Sequence, residues 1–506
     1  MTTPSSSRHG AGTTTAEAAG TAGAAGGRDQ LGARRIGIPA LVFMIIAASA
    51  PLTVVAGGVP SNFGVTTLVG VPLSFLVLGV VLVLFSIGYA AMSRHVHNAG
   101  AFYAYIAKGL GKPVGVGASL VAVVAYNAMQ IGIAGLFGFA LSMFLDGVMG
   151  ISLSWWICAL LGWVVVGVMG LNRVDLSAKV LGIVVSLEFL VVIIYDVLAL
   201  GAAPAGITAD GLVPDQLFAT GVGAALAFSI AAFMGFESGA IYNEEVKDPR
   251  RTAGVATLIA ISIIALFYAF SSWAMVIGEG PSQVVSRAQE FGPDLMFVLL
   301  AEHSAEWFVT LANLLFITSL FAALVAFHNI VSRYFFALGR ERVLPRWLGR
   351  TGRRSGAPVA GSLTQSGLAL VVILVFAAVG SRSEDPLFPV VTLFTWLTNT
   401  GAFGLVLLMA LTSLAVLGYL RGFSGEYSTW TRVIAPALAA VGLLALFLVI
   451  MVNFDVLIGL QGDSVLSWLL PAVVLAPGLV GTVWALWLRS GRPQTYRGIG
   501  AGGGLE

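Results

Sequence analysis

The feature that most constrains this chain is where its charges are missing. No Asp, Glu, Lys or Arg occurs in residues 36–93, 113–145, 147–172, 252–278, 308–332, 355–381, 386–420, 433–454 or 464–488. A helix that crosses a bilayer needs about 20 mostly apolar residues, and hydrocarbon tolerates only backbone whose hydrogen bonds are closed internally. Each gap has room for one such span, and the first for two. Two further stretches, 178–200 and 217–243, carry a few acids and still read as spans. The expected architecture is an all-α membrane protein with twelve transmembrane helices.

Composition agrees: 10% of the 506 residues are charged, against about 25% in an ordinary soluble domain. With the N-terminus inside, only Arg287 and Arg382 of the 26 Lys and Arg fall in outer loops. That bias is the positive-inside pattern, and it predicts a multi-pass protein of a bacterial-type inner (cytoplasmic) membrane with both termini cytoplasmic. The net charge of +2 reflects loop topology and gives no reason to expect nucleic acid. The single cysteine, Cys158, lies in an apolar span, so no disulfide or thiolate metal site is expected, and no cofactor. Residues 1–34 are rich in Ala, Gly, Ser and Thr and are expected to form a disordered tail without a signal peptide. The transmembrane domain is expected over 35–489, with a second cytoplasmic tail over 490–506.

Two spans are interrupted. In the first, IGIPALVFMIIAASAPLTVVAGG, the small residues Ala47 to Ala50 run into Pro51, which lacks an N–H and clashes with the preceding turn, so the helix should break there. The sixth, QLFATGVGAALAFSIAAFMGFESG, weakens at Met234, Gly235 and Phe236 and meets Glu237 at once. Breaks at corresponding positions of two halves point to inverted repeats around a midplane substrate site. Two ordinary kinks are the alternative, because Gly and Pro are frequent in membrane helices.

The segment AAFMGFESGAIYNEEVKDPRRTAGVAT resembles the amino acid, polyamine and organocation (APC) transporter superfamily. The likeness lies in Gly235, Phe236 and Glu237, and in the loop residues Glu244, Lys247, Asp248, Pro249, Arg250, Arg251 and Thr252. HNIVSRYFFALGRERVLPRW is similar to the family's basic loop after the eighth span, through Arg333, Leu338, Arg340, Leu344 and Pro345. NAGAFYAYIAKGLGKPVG is similar to its G-G-x-Y-x-Y element, through Gly100, Tyr103 and Tyr105. The resemblance covers about residues 36–490 and implies the LeuT fold, with five-span inverted repeats over 36–200 and 214–421 plus peripheral helices over 432–489. It implies a substrate site built from the backbone of Ala48, Ser49, Ala50 and Leu52 and from Ala231, Ala232, Phe233, Met234 and Gly235. Amides near Ser49, Ala50 and Leu52 would face a substrate carboxylate at the positive end of the following half-helix, and carbonyls near Ala232 to Met234 would take its amino group. The chain departs from the family in having Ala48, Ser49, Ala50 and Pro51 where many members have a Gly-rich run. It also has Ala231 where the arginine/agmatine antiporter branch has Trp, so an aromatic lid is not expected.

Ionisable groups at membrane depth mark ion or substrate pathways by default. Glu237 reads either as a protonatable gate or as a buried carboxyl serving backbone freed at the break. Glu188 lies deep in its span, at about the place where proton-coupled relatives carry a Lys. With the hydroxyls of Thr318 and Ser319 and freed carbonyls near Ala47 and Ala48, it would form an oxygen-rich pocket holding a proton or, alternatively, sodium. Back-bonding to their own helix is the competing role for the two hydroxyls. Asp196 is expected to reach the interface, His328 to be a neutral imidazole bonded to a neighbouring helix, and Glu244, Glu245, Lys247, Arg250 and Arg251 to form an ion-pair network.

His9, His95, His97, His303 and His328 are scattered, with no catalytic constellation, and no filter loop or charge ring appears, so neither an enzyme nor a channel is expected. The expected function is secondary active transport of a small amino acid by alternating access, as proton-coupled uptake. A permease for a polyamine or another organic amine such as ethanolamine, or an amino acid exchanger, is the alternative.

Overall fold

The computed structural model describes residues 36–96, 102–172, 178–237, 246–248, 252–352, 355–423, 425–459 and 464–500. The expected tail over 1–34, together with Gly100, Glu244, Glu245, Pro249, Arg250 and Arg251, lies outside the described residues. The first half comprises α1 (Ile38–Ser49), α2 (Val59–Thr66), α3 (Val71–Ser93), α4 (Phe102–Gly109), α5 (Lys112–Met149), α6 (Trp155–Asn172) and α7 (Ala178–Ala202). The short α8 (Pro214–Leu217) leads to α9 (Val222–Ala231), α10 (Thr252–Glu279), α11 (Val284–Phe291), α12 (Leu295–His303) and α13 (Glu306–Arg340). Then follow α14 (Val359–Gly380), α15 (Thr395–Tyr419), α16 (Ala435–Val452), α17 (Phe454–Leu457), α18 (Val465–Gly491) and α19 (Pro493–Gly498).

Eleven helical segments among the described residues are long and apolar enough to cross a bilayer. Of the stretch expected to supply one more, 217–243, the described part ends at residue 237 and contains the 10-residue α9 followed by turns. The isolated β-bridge of the described residues pairs Ile36 with Val246 and is extended by Lys247 N–H donating to the Ile36 carbonyl (2.9 Å), which ties the start of α1 to the chain beyond the sixth-span break.

Helices associate in lipid through close backbone approach rather than through hydrophobic driving force. The long α5 is central and packs against α6, α13, α15 and α18. A Cβ on its Gly117 would stand 2.5 Å from the Gly478 carbonyl of α18, so only glycine permits that contact. At the arginine-rich end, a strap closes over the bundle. Tyr103 of α4 donates to the Glu341 carboxylate at the end of α13, and the Gly500 N–H, just beyond α19, reaches both Tyr103 Oη (3.1 Å) and Glu341 Oε2 (2.9 Å).

Candidate functional site: a cavity where two helix breaks meet

α1 stops where the sequence places the break. Ala50 takes a left-handed conformation (φ 47°) with its N–H on the Ile46 and Ala47 carbonyls, and Pro51, which needs no N–H partner, opens the next helical stretch. That stretch contains a π-helical turn over Thr53–Gly58 before α2. α9 stops in the same way, at turns over residues 232–237 with Gly235 at φ 104°. The two breaks touch: a Cβ on Gly235 would lie 2.9 Å from the Ala48 Cβ and 3.0 Å from its carbonyl carbon.

Beside this contact lies a cavity of ≈ 50 Å³, room for roughly a few water molecules. Of the expected binding residues, Ala48, Ser49, Ala50, Ala231, Ala232 and Met234 line it, whereas Leu52, Phe233 and Gly235 do not. Thr53, Val54, Gly58 and Phe228 add to the walls, α5 supplies Met129 and Ile133, α13 supplies Ala323 and Phe327, and Phe394 and Thr398 complete the lining. Among the described residues, no charged side chain and no histidine lines it. Polar groups there are the hydroxyls of Ser49, Thr53 and Thr398 and the main chain of the breaks.

Behind the first break, Glu188 of α7 is buried. Its Oε2 accepts from Ser319 Oγ (2.8 Å) and, at 3.4 Å, from the Leu52 N–H. Ser319 in turn accepts from the Thr53 hydroxyl (3.2 Å) and its amide (3.4 Å). The acid thus stands at the positive end of the half-helix after the break, as helix-dipole electrostatics favours. The neighbouring Thr318 does not join it; its hydroxyl bonds back to the Leu315 carbonyl (2.9 Å) of its own helix. Two of the amides expected to face a substrate carboxylate are therefore engaged within the chain, Ala50 by α1 and Leu52 by Glu188.

Glu237 is fully buried on the other side of the sixth-span break. It accepts from Tyr126 Oη (2.5 Å) and from the Gly235 N–H (3.1 Å), while Tyr89 Oη donates to its backbone carbonyl (3.1 Å). The Tyr126 ring packs against Phe327, a cavity wall, with centroids 6.2 Å apart, so Tyr126 links the carboxyl to the wall of the cavity. Asp196 corrects an expectation: it does not reach the interface but is buried between α7 and α10, accepting from Ser271 Oγ (2.9 Å). His328 has its expected neighbour, Ser362 Oγ of α14 at 2.8 Å.

Sequence reasoning missed Tyr126, Thr53 and Tyr268, whose hydroxyl donates to the Ser49 carbonyl (3.1 Å) at the break. A signal for Tyr126 was present, since Tyr126, Asn127 and Gln130 are a polar cluster in the middle of the charge-free stretch 113–145. Nothing comparable marked the apolar walls Met129, Phe228 and Phe394, which look like any other core residue.

Together these features define a polytopic α-helical membrane protein with a small cavity at the meeting of two interrupted helices. The family described as amino acid permease matches residues 36–476, and the chain belongs to that family, within the APC superfamily. An uncharacterized transporter of Mycobacterium tuberculosis is 28% identical over 132 residues, 26% of this chain and 29% of that one. Cationic amino acid transporter 3, mitochondrial, of Arabidopsis thaliana is 26% identical over 146 residues, 29% of this chain and 23% of that one. The matched region thus spans less than a third of either relative.

Proposed function

We infer that the protein is a secondary active transporter that takes up a small neutral amino acid across the cytoplasmic membrane by alternating access. In this reading the chain has twelve spans, the sixth including the broken 217–243 stretch, in two five-span inverted repeats with two peripheral helices and both termini cytoplasmic. The observation that carries it is the cavity at the contact of the two breaks, small, mostly apolar and, among the described residues, without a charged wall. A polyamine or a cationic amino acid would bring a charge into that space with no carboxylate on the wall to meet it, and an unpaired desolvated charge is costly. A zwitterion instead meets the hydroxyls of Ser49, Thr53 and Thr398, and its amino group faces the partial negative charge of the carbonyl ends of α1 and α9. One observation favours an organic amine that lacks a carboxylate: Glu188 already holds the Leu52 amide.

Coupling is assigned to protons, with Glu237 as the group that titrates during the cycle and Glu188 with Ser319 as the second protonatable site. Sodium is the lesser alternative, because Thr318 turns away from the Glu188 pocket and leaves it fewer oxygens. Uptake into proteoliposomes tests both parts. Alanine, glycine and serine should be accumulated with saturation and accelerated by an inward proton gradient, whereas putrescine, ethanolamine and arginine should not compete. Competition by the amines alone would move the assignment to the organic-amine reading, and acceleration by a sodium gradient would move the coupling ion.

A further inference from the structure

At the arginine-rich end, on the periphery and away from the transport cavity, a cleft of ≈ 630 Å³ lies between the turn after α13 and the join of α18 to α19. Clefts of roughly 300–1,000 Å³ suit a small organic ligand or headgroup. Three arginines line this one, Arg342, Arg346 and Arg492, all exposed, and among the described residues no carboxylate lines it. Arg342 is held there by a left-handed backbone (φ 61°), a conformation that side chains other than glycine, Asn and Asp seldom adopt. Guanidinium groups offer planar, paired donors that match a phosphate, and among the described residues no ion pair involves these three.

The wall is aromatic as well as basic. Trp484 Nε1 donates to the Val343 carbonyl (3.1 Å), which fixes its ring; Trp487 stacks on it with centroids 4.8 Å apart, and the Arg492 guanidinium sits 5.9 Å above Trp487. Tryptophans placed in this way mark the level of lipid headgroups. Away from the cleft, the same helix, α18, presents Leu479, Val480 and Val483, which are 70%, 63% and 65% exposed. A soluble phosphate compound has no use for that apolar strip, whereas acyl chains do.

We propose that the Arg342, Arg346 and Arg492 cleft binds the phosphate headgroup of an anionic phospholipid, whose acyl chains run along the exposed face of α18. The proposal is independent of the transport substrate. Because Gln494 and Thr495 of α19 also line the cleft, a bound lipid would brace the segment that carries Gly500 to Tyr103 and Glu341.

Native mass spectrometry of the full chain, released from micelles containing phosphatidylglycerol or phosphatidylcholine, tests it. The wild type should retain phosphatidylglycerol in preference, and the Arg342→Gln, Arg346→Gln, Arg492→Gln triple variant should lose that retention by roughly a hundredfold. A control variant neutralising Arg94, Arg421 and Arg489 should keep it. Equal loss in both variants, or none in the first, would overturn the proposal, and displacement of the lipid by millimolar inorganic phosphate would reassign the cleft to a soluble anion. On the unsubstituted protein, a headgroup-photoreactive phosphatidylglycerol should crosslink peptides containing residues 342–346 or 484–495; crosslinks confined to other segments would also overturn it.

Discussion

At the scale of single residues, the polar groups around the breaks separate into those that hold another element and those that serve only their own helix. Ser319 and Thr318 are adjacent and chemically alike, yet Ser319 joins α7 to the first-span break and Thr318 bonds its own turn. Ser319→Ala should therefore leave the Glu188 carboxyl and Thr53 short of a partner and cost about 1–3 kcal/mol, whereas Thr318→Ala should cost under about 0.5 kcal/mol. Thermal unfolding of the purified variants would separate them, and equal losses would contradict the assignment. Glu237→Gln keeps the shape of the group that Tyr126 and the Gly235 amide hold but removes its titration. The variant should still bind substrate while its uptake loses dependence on external pH; a wild-type profile would make Glu237 a structural capping group. The acids themselves were visible in the sequence because charge is so rare in the spans. Their environments were not, since the depth of Asp196 depends on Ser271, a residue 75 positions away on another helix.

At the scale of elements, the interruption of α1 was legible because proline leaves a fixed chemical signature in a helix. The Gly235 turn was legible as a weakness but not as a contact, and the π-helical turn over Thr53–Gly58 has no residue that announces it. Gly235→Ala should be severe. Its φ of 104° strains any L side chain, and the added methyl meets Ala48 at 2.9 Å. Backbone strain alone is worth about 1–3 kcal/mol, and the steric overlap adds to it. Loss of uptake with a lowered unfolding temperature is expected, and a variant indistinguishable from wild type would mean that the breaks are not in register. The connection between α11 and α12 carries a different test. Burial pushes Asp294 up to about 6 from an ordinary value of 3.8. A carboxyl raised on folding stabilises the fold most when protonated: the contribution is complete below about pH 3.8 and is lost as pH climbs through about 6. The unfolding temperature of the wild type should fall between pH 5 and 7 more than that of Asp294→Asn, and parallel curves would refute this.

At the scale of the whole molecule, the proposed function ties selectivity to the small cavity at the meeting of the two breaks. Met129 of α5 is a flexible wall whose truncation enlarges that space without touching either break. Met129→Ala should admit larger neutral amino acids such as leucine while weakening transport of alanine, as competition assays would read; unchanged selectivity would place the substrate elsewhere. One further consequence comes from Cys158, the single cysteine of the chain, buried within α6. A sequestered thiol reacts slowly with maleimide reagents, so engineered cysteines can be labelled without first deleting the native one. Exposed positions such as Gln289 and Ser383 are then open to paired spin or fluorophore labels, and spectroscopy on this otherwise natural sequence can test whether the distance between them changes when substrate is added.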